Sequence, residues 1–193
     1  MRLRNIRGSR EKIAGSQYVI HEEEQRAGTW QEIFGNDHPI HIEIGMGKGK
    51  FLMEMAKEHS AINYVGIEKY SSVLLRALEK MEQEETPLSN LYFIRMDAEQ
   101  IGKVFDKEEA DRIYLNFSDP WPPNNRAKRR LTYRAFLAVY DKILRPGGQI
   151  HMKTDNARLF EFSLNEFSDF GMRLSEITFD LHSTKTENIM TEY

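Results

Sequence analysis

Hydrophobic and polar positions along this chain follow two spacings, which predict strands interleaved with helices. Short apolar runs rich in β-branched and aromatic residues predict buried strands over 40–44, 62–67, 91–94, 112–117 and 149–153. Apolar residues at helical spacing predict helices over 51–56, 71–81, 132–144 and 159–167, with an earlier helix over 22–34 and a sixth strand over 172–181. Strands that alternate with helices are typical of a doubly wound α/β fold with a parallel sheet.

The length of 193 residues favours one domain, because it allows a substantial core and is too short for two ordinary domains. Residues 1–20 lack a sustained apolar period, so we expect a flexible basic arm there and a single domain over 21–193. No apolar run approaches the roughly 20 residues of a membrane span, and no signal peptide is evident. We therefore expect a cytoplasmic protein without a membrane partner, either a monomer or a homodimer.

The absence of cysteine from the chain excludes several kinds of chemistry. Disulfides, thiolate zinc sites, iron–sulfur clusters and cysteine nucleophiles all require this residue. None of the six histidines has the spacing of a metal-ligand pair such as His-x-x-x-His. We therefore expect no metal site, and any group transfer must rely on the substrate's own nucleophile.

A glycine-rich turn follows the first predicted strand, where residues 43–49 are Glu-Ile-Gly-Met-Gly-Lys-Gly. Gly45 and Gly47 allow positive φ and have no Cβ to keep a ligand from the backbone, which indicates a nucleotide site. A dinucleotide-binding turn would have glycine where Lys50 stands, and the Gly-Lys-Ser/Thr of phosphate-binding loops is absent. The spacing resembles the first motif of class I S-adenosylmethionine-dependent methyltransferases, whose acid and glycines face the methionine end of the cofactor.

Acidic residues follow the second and third predicted strands. Glu68 ends the second strand, where a carboxylate is placed to accept both hydroxyls of a ribose. Asp97, followed by Ala98, comes after the third strand. The methyltransferases that the turn resembles use this position to accept the adenine amino group, and an aspartate that caps the next short helix is an equally good interpretation.

A second unusual stretch, Asp119-Pro120-Trp121-Pro122, follows the fourth predicted strand. Its prolines predict a stiff loop at the carboxyl end of a strand, which is where open α/β sheets bind ligands. We expect Asp119 at the mouth of that cleft with Trp121 beside it. A structural turn with a packed tryptophan is the alternative.

The charge is unevenly distributed over a chain whose net charge is −3. One basic cluster lies in residues 1–12 and contains Arg2, Arg4, Arg7, Arg10 and Lys12. The other lies in residues 126–134 and contains Arg126, Lys128, Arg129, Arg130 and Arg134. Two such clusters on a mildly acidic protein indicate a polyanion contacted at defined places, with ordinary solvated charge as the alternative.

Six motifs together resemble the bacterial tRNA (guanine-N7)-methyltransferases from the basic N-terminus to the last residue. They are residues 43–49, Gly-Ile-Glu at 66–68, Asn-Phe-Ser-Asp-Pro-Trp-Pro at 116–122, Lys-Arg-Arg-Leu-Thr at 128–132, Lys-Thr-Asp-Asn at 153–156 and Asn-Ile-Met-Thr-Glu-Tyr at 188–193. The stretch over 116–122 is the most distinctive of the six.

The resemblance implies a role for each matching residue. Residues that would bind S-adenosylmethionine or line its pocket are Glu43, Gly45, Gly47, Glu68, Asp97, Ala98 and Asp119, of which Asp119 would also be catalytic. Positions that would face tRNA are Pro123, Arg126, Lys128, Arg129, Arg130, Asp155, Thr191, Glu192 and Tyr193. The fold implied is the Rossmann-like, mostly parallel sheet of class I methyltransferases.

The chain departs from the family at two places. Where the family usually has lysines and a histidine before Lys-Arg-Arg, this chain has Pro123, Asn124, Asn125 and Arg126, so a tRNA-binding lysine at position 123 is absent. The family continues beyond Thr-Glu-Tyr with another acid and a last antiparallel strand. The sequence stops at Tyr193, so we expect no such strand within it.

The chemistry expected from this resemblance needs no cysteine. N7 of guanine has an in-plane lone pair and no proton, so no base is needed to create the nucleophile, and catalysis can depend on orientation and electrostatics. We expect Asp119 to position the guanine and stabilise its developing charge.

Three other functions explain part of the sequence. An NAD-dependent oxidoreductase explains the glycine turn and Glu68 but leaves the Asp119 motif and basic clusters unused. An adenine-N6 methyltransferase would have a second proline where Trp121 stands. A non-catalytic RNA-binding domain would keep the fold and the basic clusters without methyl transfer.

Overall fold

The computed structural model describes residues 6–180, apart from the side chains of Asn124 and Asn125. Its strands form one five-stranded sheet in the order β3-β2-β1-β4-β5. The strands are β1 (Ile40–Ile44), β2 (Asn63–Glu68), β3 (Leu91–Arg95), β4 (Ala110–Asn116) and β5 (Leu144–Lys153). Every pairing is parallel, which confirms the predicted α/β class. Chain order reverses at β1, so the carboxyl ends of β1 and β4 border the crevice where such sheets bind ligands.

Helices cover both faces of this sheet. They are α1 (Ser9–Ala14), α2 (Trp30–Phe34), α3 (Lys50–Glu58), α4 (Ser71–Met81), α5 (Ile101–Val104), α6 (Pro123–Arg126), α7 (Arg134–Ile143) and α8 (Ala157–Asp169). The predicted helix over 22–34 is divided into a short 3-10 turn, Glu23–Gln25, and α2. Gly28 lies between the two pieces with φ +80°, a backbone conformation that no α-helix contains.

Two apolar clusters, one on each face of the sheet, form the core. Successive side chains of β1 point to opposite faces of the sheet, so each face receives every second residue. Ile40, Ile42 and Ile44 join Trp30 and other residues in one cluster. The second cluster contains Phe51, Leu52, Leu74, Leu78 and Phe93, contributed by α3, α4 and β3. This division places His41 and Glu43 of β1 on the α3 face, together with the glycine turn.

The N-terminal segment differs from the flexible arm expected over residues 1–20. From residue 6 onward it is folded, with α1 against α4 and with Ile13 and Val19 buried. Val19 forms a parallel bridge with Phe93, whose backbone N–H donates to the carbonyl of Tyr18 at 2.8 Å. Two buried apolar residues are too few to produce a period, so the pattern did not predict this contact. Residues 1–5 lie outside the described part.

The sixth strand predicted over 172–181 is not formed over residues 172–180. Met172 packs against the core, but the apolar side chains after it stay exposed, with Ile177 at 49% and Phe179 at 87% of their full exposure. A strand needs a neighbour for its backbone hydrogen bonds, and apolar content alone cannot predict that partner. Leu181 lies outside the described residues. Over residues 6–180, none of the helices has the length and apolarity that crossing a membrane requires.

Candidate active site

The glycine turn forms an open cradle at the carboxyl end of β1. Gly45 and Gly47 have φ values of +74° and +59°, which side chains other than glycine rarely adopt. A Cβ placed on either residue would meet no other atom within 4 Å, so space lies above the backbone at both positions. Gly49 is different, because a Cβ there would lie 3.0 Å from Cβ of Ala77 on α4. Gly49 thus allows close packing of helices, while Gly45 and Gly47 leave room for a ligand.

Glu68, at the end of β2, is tied to this turn. One carboxylate oxygen, Oε2, accepts the backbone N–H of Gly47 at 3.2 Å, and Oε1 accepts the N–H of Tyr70 at 2.9 Å. Burial raises the pKa of Glu68, the backbone N–H groups oppose that rise, and the negative charge of Asp119 adds to it. A carboxylate offers about four acceptor positions, and the backbone N–H of Lys69 also acts on this group, so capacity to accept a ribose hydroxyl remains. Tyr70, which the sequence analysis did not single out, is 48% exposed beside it.

Glu43 lies beneath the turn and is almost completely buried, with 2% exposure. Its Oε1 accepts a hydrogen bond of 2.8 Å from the side-chain amide of Asn116 at the end of β4. Its Oε2 is buried without a hydrogen-bond partner among the described residues. Burial raises the pKa of Glu43 to about 8, against the opposing effects of Asn116 and Lys153. The crevice therefore contains an acceptor that a cationic ligand group can satisfy, which fits the ammonium of S-adenosylmethionine.

Asp97 caps the short helical turn that follows β3, which was the alternative to an adenine contact. Its Oδ1 accepts the backbone N–H of Glu99 at 3.2 Å and so caps the 3-10 turn that begins at Ala98. Its Oδ2 forms an ion pair with Lys69. Partial burial alone would raise the pKa of Asp97, but the hydrogen bond and charge of Lys69 lower it. Both oxygens thus have protein partners, and a contact with adenine would have to share them.

The loop that carries Asp119 leaves β4 through a sharp change of backbone direction. Phe117 has φ +52°, which is unusual for a bulky residue and costs about 1–3 kcal/mol. Its N–H donates to the carbonyl of Lys153 on β5 at 2.8 Å, which holds this conformation. Asp119 is exposed, and its charge contributes to the raised pKa of Glu68. Asp119 and Glu68 therefore lie near enough for their charges to interact. No sequence signal predicted the positive φ of Phe117.

The basic segment after this loop is divided by burial. Pro123 is exposed at the first position of α6, where its fixed φ suits a helix start. Arg126, Lys128 and Arg129 are exposed, and the guanidinium of Arg129 lies 5.0 Å from the ring centre of Trp121. Arg130, which we predicted as a tRNA contact, is only 4% exposed. Little of this side chain is therefore available to a phosphate in solvent.

The remaining predicted substrate positions are partly described. Asp155 is exposed in the turn between β5 and α8, directly before Asn156, whose Oδ1 accepts the N–H of Leu159 at 2.9 Å and caps the helix. Among the N-terminal basic residues, Arg7, Arg10 and Lys12 are exposed. Arg2 and Arg4 lie outside the described part of the chain, as do Thr191, Glu192 and Tyr193.

Comparison with known proteins identifies the family. A family model described as "Putative methyltransferase" matches residues 37–193. A tRNA (guanine-N(7)-)-methyltransferase of Lachnoclostridium phytofermentans is 57% identical over 195 aligned residues, which cover 100% of this chain and 90% of the relative. The chain belongs to the tRNA (guanine-N7)-methyltransferase family. A second member, from Geobacillus sp. strain WCH70, is 54% identical, with coverage of 100% of this chain and 88% of the relative.

Solved structures support the fold of this family member but give no further evidence of its function. The structure titled "Structure of an Antibiotic Related Methyltransferase" has a TM-score of 0.58 and 20% identity, covering 82% of this chain and 78% of that one. The 16S rRNA methyltransferase KamB has a TM-score of 0.57 and 12% identity, covering 76% and 75%. At these identities the comparison shows a shared methyltransferase architecture.

Proposed function

We propose that this protein transfers the methyl group of S-adenosylmethionine to N7 of a guanine in the variable loop of tRNA. The proposal rests on one observation. Three features border the carboxyl ends of β1 and β4: the open glycine cradle, the buried acceptor Glu43 and the loop of Asp119. The names of the relatives supply the substrate. A tRNA substrate would be met in the cytoplasm.

Different residues around the crevice would contact different parts of the cofactor. Glu43, with its unpartnered oxygen, would face the ammonium, and Gly45 and Gly47 would let the methionine end approach the backbone. Glu68 retains acceptor capacity for the ribose hydroxyls while it holds the turn. Asp97 and Ala98 would lie at the adenine, where Asp97 would accept the amino group in addition to its bonds with Glu99 and Lys69.

The bound cofactor supplies an electrophilic methyl group on a positively charged sulfur. The guanine contributes the N7 lone pair, so the protein has to orient the base rather than remove a proton. The bond between the methyl carbon and N7 would form as the carbon–sulfur bond breaks, with the neutral thioether S-adenosylhomocysteine as leaving group. Positive charge would thereby move from sulfur onto the purine, where the exposed carboxylate of Asp119 would stabilise it. The same carboxylate would accept hydrogen bonds from N–H groups of the guanine and fix its orientation.

Recognition of tRNA would depend on exposed positive charge near the Asp119 loop. Arg126, Lys128 and Arg129 would contact phosphates, with Pro123 and Asp155 beside the substrate. N7 faces the deep, narrow groove of an A-form helix, which side chains cannot read, so the target guanine must lie in an irregular region. Thr191, Glu192 and Tyr193 are proposed as further tRNA positions from the family resemblance alone.

A labelled methyl-transfer assay tests this proposal. Unmodified tRNA is offered with its variable-loop guanosine and, as the matched control, with that guanosine replaced by another nucleoside. The proposal predicts label on the first tRNA, none on the second, and 7-methylguanosine after nuclease digestion. Label in N6-methyladenosine would support the adenine methyltransferase instead. Thermal stabilisation by NAD and not by S-adenosylmethionine would support the oxidoreductase.

A further inference from the structure

Polar contacts, one of them fully buried, hold the segment after Arg130 against α8. Oγ1 of Thr132 lies 2.7 Å from Oγ of Ser163, and these residues are 2% and 1% exposed. The backbone N–H of Arg134 donates to Oε2 of Glu166 at 2.7 Å, while its Nη2 donates to Oε1 at 2.9 Å. Contacts made by alternate residues of one segment with successive turns of one helix fix both the distance and the register between them.

Arg130 continues this series of contacts in the direction of the Asp119 loop. Its guanidinium lies 4.4 Å from the ring centre of Phe162 on α8, and its Nε donates to the backbone carbonyl of Trp121 at 2.8 Å. One side chain therefore contacts both the helix and the loop. The planar guanidinium suits this position because it can stack on a ring and donate from its edge at the same time.

The loop held in this way is the one with the catalytic candidate. Trp121 is two residues after Asp119, and prolines on both sides of Trp121 make the loop stiff. A constraint on the Trp121 carbonyl therefore limits the positions that Asp119 can take. The other end of the connection is α8, whose N-terminus follows Asp155. Arg130 thus links the loop of Asp119 to the helix that follows Asp155.

We propose that Arg130 is a positioning residue, which holds the Asp119 loop against α8 and does not bind tRNA phosphate. The inference rests on the proposed function, since it assigns a role within that site. It gives Arg130 a role different from that of its neighbours Lys128 and Arg129, which have the same charge and are exposed. The guanidinium of Arg130 contacts other parts of the protein, whereas the charged groups of Lys128 and Arg129 face solvent.

The test compares Arg130→Ala and Lys128→Ala in tRNA binding across salt concentrations. A phosphate contact contributes about 0.9 to the slope of log affinity against log salt, so Lys128→Ala should reduce the slope by about one. Arg130→Ala should leave the slope unchanged and lower kcat by at least about tenfold at saturating tRNA, which is a loss of transition-state stabilisation. A reduced slope with normal kcat in Arg130→Ala would overturn the proposal.

Two further variants keep the test decisive. Arg130→Lys keeps the charge but cannot stack and donate together, so we expect kcat to stay low; normal turnover in this variant would contradict the proposal. Phe162→Leu removes the ring under the guanidinium and should lower kcat with the salt slope unchanged, which tests the contact even where Arg130→Ala fails to fold. Normal kcat in Phe162→Leu would count against it.

Tryptophan fluorescence gives a readout that does not depend on activity. Of the two tryptophans, Trp30 is fully buried and Trp121 is partly exposed, so acrylamide quenching reports mainly on Trp121. Arg130→Ala should increase quenching, because the loop loses its anchor, and unchanged quenching would overturn the proposal. If the wild-type protein methylates no tRNA, the proposed function fails, while the quenching result still shows whether Arg130 holds the loop.

Discussion

The side-chain amide of Asn116 donates a hydrogen bond of 2.8 Å to Glu43, joining the ends of β4 and β1 beneath the glycine turn. The carboxyl group is removed from solvent, and one of its oxygens has no hydrogen-bond partner among the described residues. Burial outweighs the opposing effects of Asn116 and Lys153, so the neutral acid is favoured until a ligand cation adds to them. This arrangement makes both stability and cofactor binding depend on pH.

The Glu43→Gln variant should be more stable than the wild type at alkaline pH. Burial raises the pKa of Glu43 from 4.5 to about 8, so between these values the folded state keeps a proton that the unfolded chain has lost. Its contribution to stability is present below the unfolded pKa and declines as pH rises, by up to about 1.4 kcal/mol per pH unit. Glutamine keeps the acceptor for Asn116 and cannot ionise.

Urea denaturation at several pH values measures this difference. We expect the gain in the free energy of unfolding of Glu43→Gln to be near zero at the acid end and about 1–3 kcal/mol near pH 8, after discounting for relaxation of the site. Glu58→Gln, an exposed residue of α3, is the control and should show no comparable trend. Parallel stability curves for wild type and Glu43→Gln would contradict the prediction.

Binding of S-adenosylmethionine at neutral pH should release a proton. Glu43 with a pKa of about 8 is mostly protonated in the free protein, and the ammonium of the cofactor favours its ionised form. Affinity should therefore rise with pH until the group is ionised in the free protein. Calorimetry in two buffers of different ionisation enthalpy measures the protons released. The release should disappear in Glu43→Gln, and its persistence there would show that another group is responsible.

Replacing Asp119 with asparagine should lower turnover more than binding. The amide keeps the size of the side chain and loses the negative charge that would stabilise the purine as it becomes positive. We expect kcat to fall by about 10²–10³, the usual effect of removing one electrostatic group from an active site. Single-turnover methyl transfer with measured tRNA and cofactor affinities tests this. Asp141→Asn, exposed on α7, is the control, and near-normal turnover in Asp119→Asn would refute the proposed role.

Exposed basic residues near the loop should make tRNA binding sensitive to salt. Arg126→Ala is expected to weaken binding to all accepted tRNAs alike and to reduce the slope of log affinity against log salt by about one. Filter binding from low to moderate salt measures that slope. Lys142→Ala, an exposed charge in the last turn of α7, should leave the slope as in the wild type. Equal slopes in the wild type and Arg126→Ala would mean that this arginine meets no phosphate.

Trp30 should be among the residues on which stability depends most. It is fully buried, its indole N–H donates to the carbonyl of Val104 at 2.9 Å, and its ring stacks on Phe105 with centres 4.9 Å apart. Trp30→Ala should lower the free energy of unfolding by about 3–5 kcal/mol, because it leaves a cavity and an unpaired carbonyl. Phe179→Ala, at 87% exposure, is the urea-denaturation control and should change little. A similarly small effect at Trp30 would contradict this assignment.

Local spacing was sufficient for the parallel sheet and for the position of the glycine turn. Strand and helix periods arise from backbone geometry, which each short segment expresses by itself. The same reasoning missed α1, which packs on α4, and the bridge of Val19 with β3. It also extended a strand into 172–180, where no neighbouring strand accepts the hydrogen bonds. Both errors concern contacts between segments that are distant in sequence.

By itself, the sequence determined the fold class, the acid at the end of β2 and the acid in the loop after β4, and the family to which the chain belongs. The tertiary structure alone decided how those residues are used: Glu43 is paired with Asn116, Asp97 is engaged by Lys69, and Arg130 is buried against Phe162. The reason is physical. A charged side chain has the same chemistry wherever it stands in the sequence, but its solvation and its partners are set only when distant segments pack together.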